Sequence, residues 1–427
     1  MRVLLPNHRP IPVSLNTFHA PRPSRRLIQL LGGVNDAIVL PHVARIRKIH
    51  LPEADAARLH IALKNPTVIC PNHPEFFTDW MLDKWLGSRF DPLTASWADP
   101  EVVNGMGRAM RRFWLSNNLV AAVRGEGLEA ALDYSADNLA RGHAVLIHPE
   151  GEVNWDNEAL GALKGGCIQI ALRGAAQAGR TAHVVPLAWF IRFCEDATPG
   201  LQEELDYVQT RLGFRSSRVQ GPAERMVELY QALLEREASR YQLDTGRPGQ
   251  SFLERFDIAL SDALKRLADH WPGKLSVESG ATPWQLARNW IRAARRQKAE
   301  IPAELRHQVQ TLERMLRLLP ARGDKSHLTQ EQVAERVKRL RSDWLQNTLR
   351  DQVARFFPRA AAPREVFMTV GDPVAVAATD DSSAQIDIHL QSLGERMRSG
   401  IESARQAALN RTGAPVRYLN PFLHPAG

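Results

Sequence analysis

Short apolar runs alternate with segments of helical periodicity between residues 66 and 192. Four of these runs have the length of a buried strand: Pro66–Cys70, Leu119–Val123, Ala144–Ile147 and Val184–Phe190. The periodic segments between them predict helices over Glu129–Arg141 and Gly165–Ala178. Such alternation is typical of an α/β domain.

The pattern changes to long charged helices from about residue 200 to residue 359. Ser251 with Glu254, and Thr329 with Gln332, have the spacing of capping boxes, which mark helix starts. The second box opens a predicted helix whose apolar face consists of Val333, Val337, Leu340, Trp344, Leu349 and Val353. This region is predicted to be a helical bundle with an arginine-rich surface.

Strand character returns after the bundle, at Val366–Val370, and a predicted helix over Ala384–Leu409 follows. A strand in this place predicts that the bundle is an insertion and that the α/β domain closes behind it. The expected fold class is therefore α/β, with a mixed sheet flanked by helices and a large all-helical insertion. The expected parts are a basic arm (1–39), the first part of the α/β domain (40–196), the helical insertion (197–360), the closing strand and helix (361–412) and a C-terminal tail (413–427).

The 427-residue chain, with 44% hydrophobic and 24% charged residues, has an ordinary globular composition, which excludes collagen-like, fibrous and fully disordered classes. Its cysteines Cys70, Cys167 and Cys194 are far apart in apolar contexts, which predicts reduced thiols and no zinc cluster or disulfide framework. No apolar run approaches the roughly 20 residues that span a bilayer, and we see no signal-peptide pattern. We therefore expect a cytoplasmic protein.

The formal net charge of +8 suggests an acidic partner. Residues 1–35 contain no acid and the following arginines: Arg2, Arg9, Arg22, Arg25 and Arg26. This segment is either a solvated, partly disordered arm or an electrostatic tether to an anionic membrane, and the sequence leaves both open. The arginine-rich stretch Arg288–Arg296 matches no nucleic-acid-binding motif that we recognise, so no nucleic-acid partner is expected.

A histidine and a carboxylate follow the first predicted strand, in the run from Asn72 to Asp79. Proteins of the α/β class place functional groups where a strand ends and a helix begins. A carboxylate beside a histidine fixes its tautomer and stabilises the imidazolium, so His73 and Asp79 are a candidate general base and its partner. The alternative is that His73 is an ordinary loop histidine and Asp79 caps a helix over Trp80–Trp85.

Three further motifs are candidates for ligand binding. The run His148–Gly151 follows another predicted strand, and Arg124 directly follows a third predicted strand. Lys164-Gly165 stands at a predicted helix start, where a cation and free backbone N–H groups attract anions. The alternatives are a plain turn, a surface arginine and a solvated lysine. Because three of the four motifs follow strands of one α/β unit, we expect them to converge on one edge of a sheet.

Taken in order, these motifs resemble those of the phospholipid/glycerol acyltransferase superfamily, of the lysophosphatidate acyltransferase type. That family carries Asn-His-x4-Asp, an arginine block, Phe-Pro-Glu-Gly and a strand that contains proline. The similar runs here are Asn72-His73 with Asp79, Val123-Arg124, His148-Pro149-Glu150-Gly151, Lys164-Gly165, Val184-Val185-Pro186-Leu187 and Gly371-Asp372-Pro373. The resemblance covers residues 40–195 and 364–410 and leaves out the bundle.

The resemblance implies a role for each matched residue. His73 would be the general base that deprotonates an acceptor hydroxyl, which then attacks an acyl thioester, and Asp79 would orient His73. The residues implied to hold the phosphate end of the acceptor are Arg124, Glu150, Gly151 and Lys164. Because the thioester is already activated, neither a metal nor a cofactor is implied, and acyl-CoA or acyl carrier protein is the co-substrate.

The chain departs from the family pattern in two places. His73 and Asp79 enclose five residues instead of four, which swings the carboxylate about 100° further round an ideal helix. Either a bulge absorbs the extra residue or Glu75 serves instead of Asp79. Val153 stands where the family has an arginine, which removes one ligand of a phosphomonoester. The run Pro149–Asn154 is instead similar to tafazzin-type acyltransferases, which move acyl chains between phospholipids without a thioester.

The expected function is that of a transferase in phospholipid metabolism. An O-acyltransferase at a membrane surface would move a fatty acyl chain from acyl-CoA or acyl carrier protein to a lysophospholipid or glycerol-phosphate hydroxyl. The expected partners are that donor, that acceptor and an anionic membrane, with the protein peripheral on the inner membrane face. Two alternatives remain: a non-catalytic lipid- or acyl-carrier-binding protein on the same fold, and a thioester-independent phospholipid transacylase.

Overall fold

The computed structural model describes residues 15–75, 77–214, 221–247, 249–271, 282–296, 303–319, 326–345, 348–356, 358–380 and 382–424. These residues divide into two compact units. The first comprises residues 15–195 and 353–415, and the second comprises residues 196–352 and 416–424. Arg2 and Arg9, which belong to the expected basic arm, lie outside the described residues.

The described strands are β1 Ile46–His50, β2 Thr67–Pro71, β3 Ala95–Ala98, β4 Leu119–Ala121, β5 Val145–Leu146, β6 Ala182–Phe193, β7 His327–Thr329, β8 Arg364–Val370, β9 Val374–Val376 and β10 Arg417–Leu419. The described helices are α1 Arg25–Val34, α2 Glu53–Ala62, α3 Phe77–Phe90, α4 Pro100–Asn104, α5 Gly107–Ser116, α6 Glu126–Ala140, α7 Gly166–Ala178, α8 Thr198–Leu212, α9 Pro222–Tyr241, α10 Phe252–His270, α11 Pro283–Arg296, α12 Ala303–Leu316, α13 Gln330–Trp344, α14 Leu349–Phe356 and α15 Ser383–Thr412. A π-helical segment, Asn35–Val43, continues α1, and a 3-10 turn spans Pro421–Leu423.

Eight of the described strands form the sheet of the first unit, in the order β1-β8-β6-β2-β5-β3-β4, with β9 paired to β6. Strand β2 runs parallel to its neighbours β5 and β6. Antiparallel pairing occurs where β6 meets β8 and β9. The expected α/β class with a mixed sheet flanked by helices is therefore confirmed.

The central strands are mostly apolar because both faces of the sheet are covered. Side chains alternate across a strand, so Val68 and Cys70 of β2 pack into one buried cluster with residues of α6 and α7. Ile69 packs into a second cluster with residues of α2 and α3. This two-sided burial explains why β2, β4, β5 and β6 were visible in the sequence as continuous apolar runs.

The strands that the sequence patterns did not reveal are short or polar. Strand β1 carries Arg47 and Lys48 at the sheet edge, β3 is built partly of small residues, and β9 has three residues. The predicted helices over Glu129–Arg141, Gly165–Ala178 and Ala384–Leu409 are confirmed as α6, α7 and α15. Among the described residues, no helix is both long enough and apolar enough to span a membrane.

Both predicted capping boxes are confirmed in the second unit. Ser251 Oγ accepts a hydrogen bond from the Glu254 N–H at 3.3 Å, and the Ser251 N–H donates to Glu254 Oε2 at 2.8 Å. Thr329 and Gln332 exchange the equivalent bonds at the start of α13. The chain enters this unit after Glu195 and returns to the first unit at Val353.

Two expectations about these segments were wrong. The helix that begins at Thr329 ends at Trp344, and Val353 belongs to the separate helix α14 with an exposed side chain. The region expected to be an all-helical insertion is not wholly helical, because β7 pairs with β10. That pairing also gives the expected C-terminal tail a strand. Residues 25–43 of the expected basic arm are helical, and the missing N–H of Pro41 is accommodated by π-type bonds such as Ala44 N–H to Val39 O at 2.9 Å.

Candidate active site

His73 stands directly beyond the carboxyl end of β2, where Asn72 attaches the loop to the sheet. The Asn72 Nδ2 group donates to the backbone O of Trp189 at 3.1 Å. The backbone N–H of Trp189 donates back to Asn72 Oδ1 at 2.9 Å. These two bonds to β6 fix the position from which His73 leaves the strand.

His73 and Asp79 form a hydrogen-bonded pair. His73 Nδ1 lies 2.7 Å from Asp79 Oδ2. The Asp79 carboxylate is fully buried and also accepts from Trp189 Nε1 at 3.1 Å and from the Glu75 N–H at 2.9 Å. Because an ionised carboxylate only accepts, the neutral ring carries its proton on Nδ1, and Nε2 carries the lone pair.

The geometry also selects Asp79 over Glu75 as the partner of His73. Helix α3 begins at Phe77, so Asp79 lies in its first turn and reaches back to His73, which accommodates the extra residue of the motif. Glu75 is instead bound by the buried guanidinium of Arg364 at 2.5 Å and by the hydroxyl of Thr78. The alternative in which Asp79 caps a helix at residue 80 is wrong.

A second histidine completes the site. His148 follows β5, and its ring stacks on His73 with 4.1 Å between the ring centroids. His148 Nδ1 lies 3.0 Å from the backbone O of Asn72, and Nε2 lies 3.3 Å from Asp83 Oδ2. Asp83 was not among the predicted site residues, although its spacing of four residues from Asp79 places both carboxylates on one helix face.

The two rings have opposite pKa shifts. Burial, followed by the charge of His148, holds the pKa of His73 well below its ordinary value. Burial would also lower the pKa of His148, but the charge and hydrogen bond of Asp83, the Asn72 carbonyl and the charge of Glu150 raise it overall. His73 is therefore the ring that stays neutral, and His148 is the ring that keeps a proton to higher pH.

Glu150 is buried beside this pair. Its Oε1 accepts from the His73 backbone N–H at 2.8 Å, and its Oε2 accepts from the Gly161 N–H at 2.6 Å. Burial raises the pKa of Glu150, and these two hydrogen bonds oppose the rise. The carboxyl group thus joins the His73 loop to the loop at Gly161, while its contact with an acceptor phosphate stays a prediction.

Gly151 and Lys164 lie against each other. Gly151 has a φ of +64°, and a Cβ atom at this position would stand 2.5 Å from Lys164 Nζ. The Lys164 backbone N–H donates to the Pro149 O at 2.8 Å, and the lysine side chain is exposed. The exposed Gly151 and the lysine therefore form one surface. The neighbouring Asn154 N–H donates to His73 O at 2.7 Å, which ties the same loop to the base.

Arg124 is the predicted site residue that stands apart. It follows β4, its side chain is exposed, and its backbone exchanges two hydrogen bonds with Asn16 at 2.8 Å. Strands β5 and β3 separate β4 from β2, and three strand steps of about 4.8 Å amount to about 14 Å. The expected convergence thus occurs for the motifs after β2 and β5, while Arg124 lies farther along the same edge.

No group of three or more histidine, cysteine, aspartate or glutamate side chains in the described ranges is placed to hold a metal ion. The chain matches no model of a known protein family, and no curated protein matches it.

Proposed function

We propose that the protein is an O-acyltransferase with His73 as its general base. The observation that carries this proposal is the 2.7 Å contact between His73 Nδ1 and Asp79 Oδ2 at the end of β2. A general base must be unprotonated and must direct its lone pair to the substrate. The lowered pKa of His73 keeps the ring unprotonated. The hydrogen bond to Asp79 keeps the ring proton on Nδ1, so the lone pair of Nε2 is available to the substrate.

In the proposed reaction, His73 Nε2 takes the proton of an acceptor hydroxyl while the hydroxyl oxygen attacks the carbonyl carbon of an acyl thioester. A C–O ester bond forms, the C–S bond breaks, and the sulfur leaves as a thiol after it takes the proton from His73. With a phospholipid as donor, the same proton goes to the departing lysophospholipid oxygen. The histidine ends each cycle neutral, and positioning of the two substrates supplies much of the remaining rate.

We propose a lysophospholipid as the acceptor, with its phosphate held near Gly151 and Lys164. The exposed ammonium group beside a positive-φ glycine offers a cation and a backbone that a ligand can approach closely. Val153 is buried and uncharged where the resembling family has an arginine. A phosphodiester carries fewer charges than a phosphomonoester and needs fewer cations, which supports a lysophospholipid over lysophosphatidate.

We also propose that the protein works at the surface of an anionic membrane, through the helical segment Arg25–Val43. Three large apolar side chains of this segment recur every fourth residue and are exposed: Leu30, Val34 and Ile38. Three exposed arginines stand at its N-terminal end: Arg22, Arg25 and Arg26. Its acidic residue, Asp36, is paired with Arg89 at 2.8 Å. An apolar strip beside clustered arginines is the composition of helices that lie in a membrane interface.

The test is acyl transfer by the purified full-length chain. Lysophospholipids, lysophosphatidate and glycerol 3-phosphate would be offered with acyl-CoA, acyl carrier protein or phospholipid as donors. We expect His73→Ala to reduce transfer by at least about 100-fold. His143→Ala is the matched control, because His143 also pairs with an aspartate, Asp91, at 3.2 Å in the same unit. Lipid binding without turnover from any donor would contradict the proposal and support the non-catalytic alternative.

A further inference from the structure

The surroundings of His148 determine its protonation state. Both of its ring nitrogens face oxygen atoms: Nδ1 faces the Asn72 carbonyl at 3.0 Å, and Nε2 faces the Asp83 carboxylate at 3.3 Å. A carbonyl and an ionised carboxylate can only accept hydrogen bonds, whereas a neutral imidazole has one donor and one acceptor. Only the doubly protonated, positively charged ring satisfies both contacts. A ring with both nitrogens engaged in this way is not available as a base.

We propose that His148 and Asp83 form a second histidine–aspartate pair, whose positive ring stacks on His73 and keeps that base unprotonated. His148 is then a positioning residue and not a general base. The inference rests on the proposed function where it calls His73 a base, but the charge on His148 stands on the geometry alone.

The charged groups around the two rings explain why His148 holds the proton. They are Asp79, Asp83 and Lys84 on α3, Glu150 after β5, and the buried ion pair of Glu75 with Arg364. Asp79 shares its charge between His73 and two other donors, the Trp189 indole and the Glu75 N–H. Asp83 Oδ1 is buried with no hydrogen-bond partner among the described atoms. More of the Asp83 charge is therefore left for its histidine.

Like charges in stacked rings disfavour each other, so a proton on His148 opposes a proton on His73. The ring of His73 then remains a base at mildly acidic pH. After it takes the hydroxyl proton, its conjugate acid is a stronger acid than an isolated imidazolium. That acid returns the proton to the departing sulfur or oxygen more readily, whereas the neutral ring is a weaker base toward the hydroxyl proton. The pair therefore assists the second half of the transfer and, at mildly acidic pH, keeps His73 available for the first.

The test is a pH titration of the histidines in the full-length chain by NMR, with a 13C label at Cε1. The resonances of His73 and His148 would be identified by sequence-specific assignment in the wild-type protein and checked by their absence in His73→Phe and His148→Phe. In the wild-type protein we expect His148 to titrate above the ordinary histidine value of about 6.5, and His73 below it. A His148 midpoint at or below about 6.5 would overturn the inference without any variant.

Two variants test the action of His148 on His73. His148→Phe keeps a stacked ring without charge, and Asp83→Asn keeps a hydrogen-bonding side chain without the carboxylate. Both should move the His73 midpoint upward, toward about 6.5. Asp91→Asn is the matched control, since Asp91 pairs with His143, and it should leave His73 unmoved. An unchanged His73 midpoint in both variants would refute the proposal that His148 keeps His73 unprotonated. If neither variant folds, the wild-type titration decides.

This readout needs no turnover. Absence of acyl transfer together with the expected midpoints would reject the proposed function and leave the charged His148 in place. Transfer that depends on His73, together with a neutral His148, would support the proposed function and reject the charged His148.

Discussion

Asp79 and Asp83 lie four residues apart on α3, and each holds a different member of a stacked histidine pair. Asp79 Oδ2 is 2.7 Å from His73 Nδ1, and Asp83 Oδ2 is 3.3 Å from His148 Nε2. One turn of helix thus sets the protonation of two rings that come from different strands. The ring held at one nitrogen keeps a lone pair for chemistry, and the ring held at both does not.

We expect Asp79→Asn to reduce acyl transfer by at least about 100-fold with little change in the fold. The amide keeps an oxygen for the Trp189 indole, but it no longer fixes the tautomer of His73 or stabilises its protonated form. The measurement is the initial rate of thiol release from the preferred thioester, or of lysophospholipid release if the donor is a phospholipid. A similar loss in Asp91→Asn would show that the effect is not specific to this carboxylate.

The pH dependence of kcat/KM should report the free His73 ring. Because its pKa lies below the ordinary value, the neutral form persists as the pH falls through about 6.5. We therefore expect kcat/KM to stay level through this range and to decline only at lower pH, as His73 becomes protonated. Rates measured in buffers of constant ionic strength would check this. A decline centred at or above about 6.5 would speak against His73 as the base.

Arg364→Met should destabilise the first unit by about 3–5 kcal/mol, because it leaves the buried carboxylate of Glu75 without its cation. The guanidinium also donates to the Ala44 O and the Thr78 hydroxyl. Differential scanning calorimetry of the full chain would measure the loss. The double variant Glu75→Gln with Arg364→Met should recover part of it, since no buried charge then remains unpaired. No recovery would mean that the other contacts of Arg364 dominate.

A comparison of two glycines tests the Pro-Glu-Gly turn. Gly151→Ala should cost about 1–2 kcal/mol of folding free energy, because φ is +64° and the new Cβ meets Lys164 Nζ at 2.5 Å. Gly165 lies nearby with a φ of −66° and its nearest neighbour at 3.7 Å. Gly165→Ala should therefore be neutral or slightly stabilising. Equal effects of the two substitutions on thermal unfolding would contradict this account.

Replacement of Leu30, Val34 and Ile38 together by serine should weaken binding to vesicles of anionic phospholipid by at least about tenfold, since each side chain would contribute roughly 1.5 kcal/mol or more if fully buried in lipid. All three are exposed, so the fold should be retained. Co-sedimentation with vesicles measures the binding. Ile61→Ser with Ile388→Ser is the control, because these exposed residues lie on α2 and α15. An equal loss in the control would contradict the assignment to this segment.

Features of the chain that depend on residues close to one another in the sequence were predictable. Apolar runs gave the central strands, and the side chains of Ser251 and Thr329 marked helix starts that are stabilised within one turn. The pairing of His73 with Asp79 was predicted with Glu75 as the alternative partner, since all three lie in one short stretch between a strand and a helix. Strands β1, β3 and β9 and the end of α13 at Trp344 were missed, because their sequences carry weak periodicity and depend on packing.

The sequence by itself determined the strongly apolar strands, two helix starts and a histidine with two nearby carboxylates, because neighbours along the chain establish these features. The tertiary structure decided which distant residues contact these features. Strand order puts His148 beside His73 and Arg124 three strands away. Arg364, 289 residues after Glu75, binds that carboxylate and leaves Asp79 to the base. Contacts between residues so far apart depend on which strands pair, and residue spacing alone does not contain that information.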